Sequence, residues 1–271
     1  MKIIADSGST KTLFLLIEHN REHFVTTDGI NPFYQNIEDI EKTITNQLLP
    51  QIEKKESVES IEFYGAGCTT EKSAIVKDAL LNIFPDANIF VGSDLLGAAK
   101  ALCGNNPGIA CIIGTGSNSA LYDGEKIVAN VSPLGYILGD EASGAYLGKL
   151  LVADIFKNQA PASIIEKFYK KYNISSAEII DRVYRKPFPN RFLASFAPFI
   201  SENLDDEYCK ALVTSSFKNF IRRNIKQYPT KNIPINFVGS IAYYFKDILK
   251  EVIEDEGLIM GIIKKSPLQP N

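Results

Sequence analysis

Apolar and polar positions change period several times along this chain, and each change predicts an element. "KIIA" at Lys2 to Ala5 and "KTLFLLI" at Lys11 to Ile17 are short apolar runs bounded by polar or glycine-containing turns, and a third run spans His23 to Thr27. Three strands therefore precede any helix. From Ile37 to Glu53 the apolar residues fall at Ile37, Ile40, Ile44, Leu48 and Ile52 with charges between them, the spacing of one helix face. "ESIEFYGAG" then reads as a strand, Glu71 to Phe84 as a helix, "ANIFVGS" as a strand and Leu95 to Cys103 as a helix. The first half has the order β-β-β-α-β-α-β-α.

After the loop "GNNPG" the same order begins again, which predicts a domain junction there and two domains, 1–105 and 106–271. "IACIIGTGSNSALYDGEKIVANV" supplies three strands, with turns at Gly114 to Ser117 and at Asp123-Gly124. Helical spacing follows over Ala142 to Phe156, Ala162 to Tyr172, Ser176 to Tyr184, Arg191 to Glu202 and Asp206 to Ile225. "INFVGS" returns as a strand, Ile241 to Ile253 as a helix, and "GLIMGIIKK" as the closing strand. The second half repeats the first with helices inserted, so internal duplication constrains the whole architecture.

In each half a glycine-rich turn joins the first two strands: "DSGST" in one and "GTGSN" in the other. Glycine lets the backbone bend tightly and approach a ligand, with N–H groups pointed into the turn as anion donors. The hydroxyls of Ser7, Ser9, Thr10, Thr115 and Ser117 add donors. Either turn alone reads as an ordinary hairpin. A matched pair, facing each other across a cleft, would hold a polyphosphate from both sides. Neither is a Walker A loop, and neither has the G-x-G-x-x-G spacing of a dinucleotide fold.

Composition narrows the classes. The chain has 271 residues and a net charge of -3, which gives no electrostatic reason to expect nucleic acid or an anionic membrane. No apolar run approaches the ~20 residues of a membrane span, and the N-terminus lacks the regions of a signal peptide, so a cytoplasmic location is expected. Cys68, Cys103, Cys111 and Cys209 lie far apart with no C-x-x-C pair, and are expected to be buried, reduced thiols.

At this point the motifs become specific. "ADSGSTKT" and "IGTGSNS" resemble the two phosphate loops of the actin, sugar kinase and heat-shock ATPase superfamily, and "GSDLLGAA" its catalytic segment. "LGDEASGAYLG" resembles its sugar-binding segment, and "FVGSIAYYFKDIL" its adenosine-side segment. The blocks run through nearly the whole chain in the superfamily's order, and within it the chain is similar to N-acetylglucosamine kinase and the related BadF-BadG-BcrA-type ATPases. The resemblance implies two ribonuclease H-like domains and an ATP-dependent kinase for the primary hydroxyl of N-acetylglucosamine or a close amino sugar. ATP and magnesium are the implied cofactors. The expected partner is the sugar, with no nucleic acid or membrane and a homodimer left open.

Asp94 lies between a strand and a helix, at a strand's C-terminal end where open α/β sheets bind ligands, although a carboxylate there could also simply cap the helix. Phosphoryl transfer needs a base that accepts the hydroxyl proton, and the resemblance gives Asp94 that role and a contact with the sugar. Asp6 would face the magnesium through water, or bond its own turn. Lys11 could reach a phosphate or lie in solvent. The resemblance places Gly8, Ser9, Thr10, Lys11, Thr115 and Gly116 at the ATP phosphates, and Gly239, Ser240 and Tyr243 on the adenosine side. It places Asn31, Ser117, Asn118, Gly135 and Asp140 at the sugar, through the paired donors and acceptors of Asn and Asp. Asn31 before Pro32 could equally start a turn, and Asp140 could cap the helix expected from Ala142. Glu141 is expected to support that helix's N-terminus.

Two departures stand out. N-acetylglucosamine kinases carry G-W-G before G-D-E-G-S, whereas this chain has "PLGYILGDEAS" with only Gly135 kept. With no tryptophan anywhere, an aromatic platform for a sugar face falls to Phe33 or Tyr136. The family's final helix is expected after the last strand, and this sequence ends ahead of it at "KKSPLQPN". Two other readings remain: a non-kinase ATPase such as an activator of 2-hydroxyacyl dehydratases, which would need cluster-ligating cysteines, and a nucleotide-binding scaffold, which would have no use for a base.

Overall fold

A computed structural model describes residues 1–8 and 10–268. The chain divides into two compact units, with main bodies Met1–Ala101 and Leu102–Ser266, and each carries one five-stranded sheet. In the first, β1 (Lys2–Ser7), β2 (Lys11–Glu18) and β3 (Arg21–Asp28) form an antiparallel meander. Helix α1 (Ile37–Thr43), β4 (Ser60–Gly65), α2 (Ser73–Ile83), β5 (Asn88–Ser93) and α3 (Asp94–Cys103) follow. β4 pairs parallel to β1, and β5 parallel to β4, giving the order β3-β2-β1-β4-β5.

The second unit repeats this topology. β6 (Gly108–Ile113), β7 (Ser117–Tyr122) and β8 (Ile127–Val131) form the meander, and β9 (Ile235–Val238) and β10 (Met260–Lys264) add in parallel on the other side of β6. Between β8 and β9 lie α4 (Gly135–Leu138), α5 (Gly144–Phe156), α6 (Ala162–Tyr172), α7 (Ser176–Tyr184), α8 (Pro189–Ala194), α9 (Ala197–Glu202) and α10 (Glu207–Arg223). Helices α11 (Ser240–Tyr244) and α12 (Lys246–Asp255) precede β10. The β-β-β-α-β-α-β-α order of the first unit, repeated as far as β10 with a helical insertion in the second, is the fold expected from the residue pattern.

Each unit has its own apolar core. In the first, Ile3, Ala5 and Phe14 on one sheet face meet Ile40, Ile44 and Leu48 and the α2 residues Val76 and Leu80. In the second, β6 and β9 pack against α5 and α10 through Cys111, Ile113, Phe237, Leu151 and Phe217. Cys68, Cys111 and Cys209 are buried, Cys103 is half-buried, and all are free thiols. Among the described residues no helix is long and apolar enough to cross a membrane.

The helix expected over Ile37 to Glu53 is three pieces: α1, a π turn at Ile44–Leu48 and a 3-10 turn at Leu49–Gln51. The buried residues Ile40, Ile44, Leu48 and Ile52 recur every four positions. At 3.6 residues per turn such a repeat drifts around an α-helix, and the wider π turn carries it back onto the core. The stretch from Arg191 to Glu202 is also two helices, because Pro198 cannot donate into a preceding turn and sits instead at the start of α9.

Candidate functional site

Alternation along β1 separates two functions. Ser7 joins Ile3 and Ala5 on the core face, so Asp6 points to the opposite face, where its β4 neighbour is Tyr64. Helix α3 lies on that same face: a Cβ on its Gly97 would stand 2.6 Å from Tyr64 Cβ. Asp94, the first residue of α3, is thereby brought beside Asp6. Burial, with the Asp94 charge second, pushes the Asp6 carboxyl up to about 7 against the pull of Lys11. Burial raises Asp94 as well, opposed by the Leu95 amide.

The capping role near Asp94 belongs to its neighbour. Ser93 Oγ accepts from the Leu96 amide at 3.2 Å, the geometry of an N-cap, while Asp94 Oδ1 accepts from the Leu95 amide at 2.8 Å. Besides the Leu95 amide, only its own backbone amide acts on the Asp94 carboxylate among the described residues.

In the first glycine turn the Gly8 amide donates to Lys11 O at 3.0 Å. Among the described residues a Cβ on Gly8 would meet only that oxygen, at 3.7 Å, which leaves space there for a ligand. Thr10 and Lys11 are exposed beside it. Ser9 lies outside the described residues. Ser7 is not a ligand donor, contrary to the reading of its hydroxyl: Ser7 Oγ lies 2.6 Å from Thr12 Oγ1, donates to Ile30 O at 2.9 Å and accepts from the Ile30 amide at 3.1 Å. This buried knot, including Thr12, the last residue of "ADSGSTKT" and given no role there, ties the turn to the segment leading into Asn31.

Asn31 is nearly buried, and its turn role is real. Its Oδ1 accepts from the Phe33 amide at 2.9 Å, and its carbonyl accepts from Tyr34 and Gln35. Its side-chain nitrogen carries no protein hydrogen bond among the described residues, so a donor remains free for a ligand. Gly67, at φ +81°, packs beneath it, and a Cβ there would stand 2.3 Å from Asn31 Oδ1. Next in sequence is Cys68, whose thiol is pushed up to about 12 by burial and then by the Asp94 charge. Asn31, the 67–68 turn and Asp94 are therefore one neighbourhood. Gly67 and Cys68 were missed in the sequence, where Gly67 ends the expected strand "ESIEFYGAG" and Cys68 is expected only to be a buried thiol.

The second unit holds its own cluster. The Gly144 and Ala145 amides, the first of α5, donate to Gly114 O and Thr115 O at 2.8 and 3.1 Å, so the helix start anchors the second glycine turn by its carbonyls. A Cβ on Gly114 would have nothing within 4 Å, whereas one on Gly116 would stand 2.9 Å from Asp140 Oδ2. Gly116 makes room for Asp140. The Thr115 hydroxyl carries no protein hydrogen bond among the described residues.

Asp140 is buried in a left-handed conformation (φ 54°), its amide donating to Pro133 O at 3.1 Å. Burial pushes its carboxyl up to about 6, with the neighbouring Glu141 charge adding to this and the Ser117 amide and Lys149 opposing it. The helix expected from Ala142 starts at Gly144 with Ser143 as its cap, donor Tyr146, so capping does not account for Asp140. Ala142, where the family pattern has glycine, is also left-handed at φ 64°, and the burial of its methyl group offsets the strain. Glu141 pairs with Arg223 at the end of α10 and accepts from Asn224 Nδ2 at 3.3 Å. It locks the Asp140 loop to α10 rather than supporting its own helix.

Ser117 and Asn118 do not act together, because successive strand residues face opposite ways. Ser117 Oγ donates to Glu141 O at 2.8 Å, which engages its one proton and leaves the oxygen only as an acceptor. Asn118 Oδ1 accepts from the Ser119 amide and Asn130 Nδ2, both at 2.9 Å. Gly135, at φ +72°, opens the exposed α4 with nothing within 4 Å of an added Cβ. Ser240 is exposed at the start of α11, and Tyr243, 39% exposed, packs edge-on to Tyr244 at 5.6 Å.

Gly239 adopts φ +122°, and a Cβ there would come 2.4 Å from Ile113 O. That conformation is nearly closed to other residues. Gly239→Ala is expected to cost about 3 kcal/mol of stability and, by displacing the 113–116 backbone, to weaken nucleotide binding. Urea unfolding with and without nucleotide checks both effects.

Two sheets of identical order, each with a glycine turn between its first two strands, define the duplicated ribonuclease H-like fold of the actin-like ATPases. The sequence matches no protein-family profile and no curated protein. A solved candidate N-acetylglucosamine kinase from Porphyromonas gingivalis is 47% identical over 99% of this chain and 96% of its own, with a TM-score of 0.96. This chain therefore belongs to the N-acetylglucosamine kinase family. A candidate N-acetylglucosamine kinase from Chromobacterium violaceum shares the fold at 17% identity and a TM-score of 0.72, covering 96% of this chain and 94% of its own. A ROK-family glucokinase from Streptomyces griseus, solved with glucose and AMPPNP, does so at 14% identity and 0.58, covering 98% and 94%.

Proposed function

We propose that the protein is an ATP-dependent sugar kinase that phosphorylates the primary hydroxyl of N-acetylglucosamine or a closely related amino sugar, with Asp94 as general base. The supporting observation is the Asp94 carboxylate: it is fixed by the Leu95 amide, the cap is made by Ser93, and no side chain among the described residues is bonded to it. A carboxylate held this way can take a proton from a hydroxyl set against it.

The residues present fit ATP and magnesium. Gly8 and Gly114 leave open the cradles that a Cβ would fill, and two neighbouring carboxyls raised by burial form a site where a divalent cation relieves the repulsion. Bound ATP supplies the phosphoryl group, and magnesium neutralises charge developing on it. Asp6 would hold the cation through water, since magnesium sheds its shell reluctantly. Gly8, Thr10, Lys11, Thr115 and Gly116 would contact phosphates, with Gly239, Ser240 and Tyr243 on the adenosine side. The Asn31 amide nitrogen donates to a ring hydroxyl and the Asp140 carboxylate accepts from one.

ADP release across a panel of free sugars and amino sugars tests the reading, with the highest kcat/KM expected for N-acetylglucosamine or a near relative. Hydrolysis indifferent to every sugar would favour the non-kinase ATPase. The cysteines lend that alternative no support, since burial pushes the Cys68 and Cys209 thiols up to about 12 and 11, away from the thiolate a cluster needs.

A further inference from the structure

We propose that Phe33 is the aromatic platform on which one face of the sugar ring seats, and that Gly67 exists to fix the position of that platform. This rests on the kinase reading and names a residue that sets affinity for the sugar rather than the chemistry.

Four observations meet at this residue. Phe33 is 57% exposed, a large apolar ring left in water by the fold. Its backbone is nevertheless fixed, because the Phe33 amide donates to Asn31 Oδ1 at 2.9 Å in a turn that also binds the amides of Tyr34 and Gln35. Gly67 closes against both residues: a Cβ there would stand 2.3 Å from Asn31 Oδ1 and 2.8 Å from Phe33 Cδ2, so only glycine lets the ring and the amide sit together. Lys72 Nζ stands 6.0 Å from the ring centroid, at the outer limit of a cation–π contact. An exposed aromatic ring with a fixed root, beside an amide nitrogen that has no protein partner, is the pair a pyranose requires. Its axial C–H face is apolar and stacks on an aromatic face, while its hydroxyls take directional hydrogen bonds.

The same turn leads to the chemistry. Cys68, directly after Gly67, is close enough to Asp94 for that charge to act on its thiol. Phe33, Asn31 and Asp94 thus belong to one unit and one neighbourhood, and a sugar lying on the ring has both the amide donor and the base within that neighbourhood. Tyr136, the other aromatic candidate, has its carbonyl bonded to Lys149 Nζ at 3.1 Å.

The chain contains no tryptophan, so Phe33→Trp installs a single reporter at the platform itself. In that variant, titration with the preferred sugar and no nucleotide is expected to change the emission saturably. Phe33→Ala is expected to raise the sugar KM about tenfold with kcat changed less than about twofold and the ATP KM unmoved, and Phe33→Tyr to restore it. Phe33→Leu, apolar but lacking the flat face, is expected to stay near the alanine variant. An unchanged sugar KM in Phe33→Ala, or flat emission at sugar concentrations that saturate turnover, overturns the assignment. Wild-type protein that phosphorylates no sugar in the panel sinks the kinase reading and this one with it. Active wild type with indifferent Phe33 variants sinks this one alone.

Discussion

Asparagine in place of Asp94 lowers turnover by about 10²–10⁴-fold, the range of a lost general base, while ATP binding persists. The amide keeps the shape and can still accept from the Leu95 amide, so the loss reports on proton acceptance alone. Two further measurements belong to this variant. Burial raises both Asp6 and Asp94, so wild-type turnover should fall on an acid limb above ~4, the ordinary carboxylate value. Asp94→Asn should lose that limb or reshape it. Stability moves the other way. The unfolded chain ionises Asp94 near ~4 while the fold keeps the proton to higher pH, so this group's contribution to stability falls as pH rises across that interval. A neutral amide removes the loss, and thermal melts at pH 8 should show Asp94→Asn unfolding above wild type. Retention of more than about a tenth of turnover would show that the base is another group.

Alanine at Asp140 raises the sugar KM about ten- to a hundredfold, because hydroxyls that bonded the carboxylate are left unpaired in a buried site. Sugar-independent ATP hydrolysis is expected to stay at its wild-type level. Asp140→Asn is the gentler test, since asparagine adopts the left-handed conformation at φ 54° readily and keeps one acceptor oxygen. Its KM should lie between wild type and alanine. Asp140 is held up to about 6 by burial, so the wild-type sugar KM should fall as pH rises through about 6 and the carboxylate ionises, and Asp140→Asn should lack that dependence. If basal hydrolysis drops as far as sugar turnover does in Asp140→Ala, the residue serves the nucleotide and not the sugar.

How much of this was legible in the sequence depended on how local the deciding interaction was. Strands and long helices were read from alternation and spacing, which are properties of a few neighbouring residues, and the duplication followed from their order. The π turn at Ile44–Leu48 was not, because a four-residue apolar repeat looks like a helix until the core it must cover is known. Hydroxyls were harder. Ser7 and Ser117 sit in glycine-rich turns like donors awaiting a ligand, yet their partners are Ile30 and Glu141, more than twenty residues away in each case. Asp94 and Asp6 were singled out by motif resemblance and by their places at strand ends, and the effect of Asp94 on Asp6 came from β1 and α3 sharing one sheet face. Gly67 carried no readable signal, since its necessity lies in Asn31 and Phe33.

The parallel pairing of β6 with β9 joins Ile109 to Ile235, while β1 finds β4 at Ile3 and Ile61. On a ribosome adding ~5–20 residues per second, about 125 residues of synthesis separate β6 from its parallel partner, or roughly 6 to 25 seconds, against about half that for β1. During this interval one edge of β6 offers unpaired amides and carbonyls to any passing strand. The helical insertion emerges meanwhile and can collapse around the rings of Phe168, Phe196 and Phe199, giving the nascent chain a partial cover before its sheet is complete. The hazard of aggregation during synthesis therefore falls on the second unit, and the insertion that separates its strands is also what shelters them.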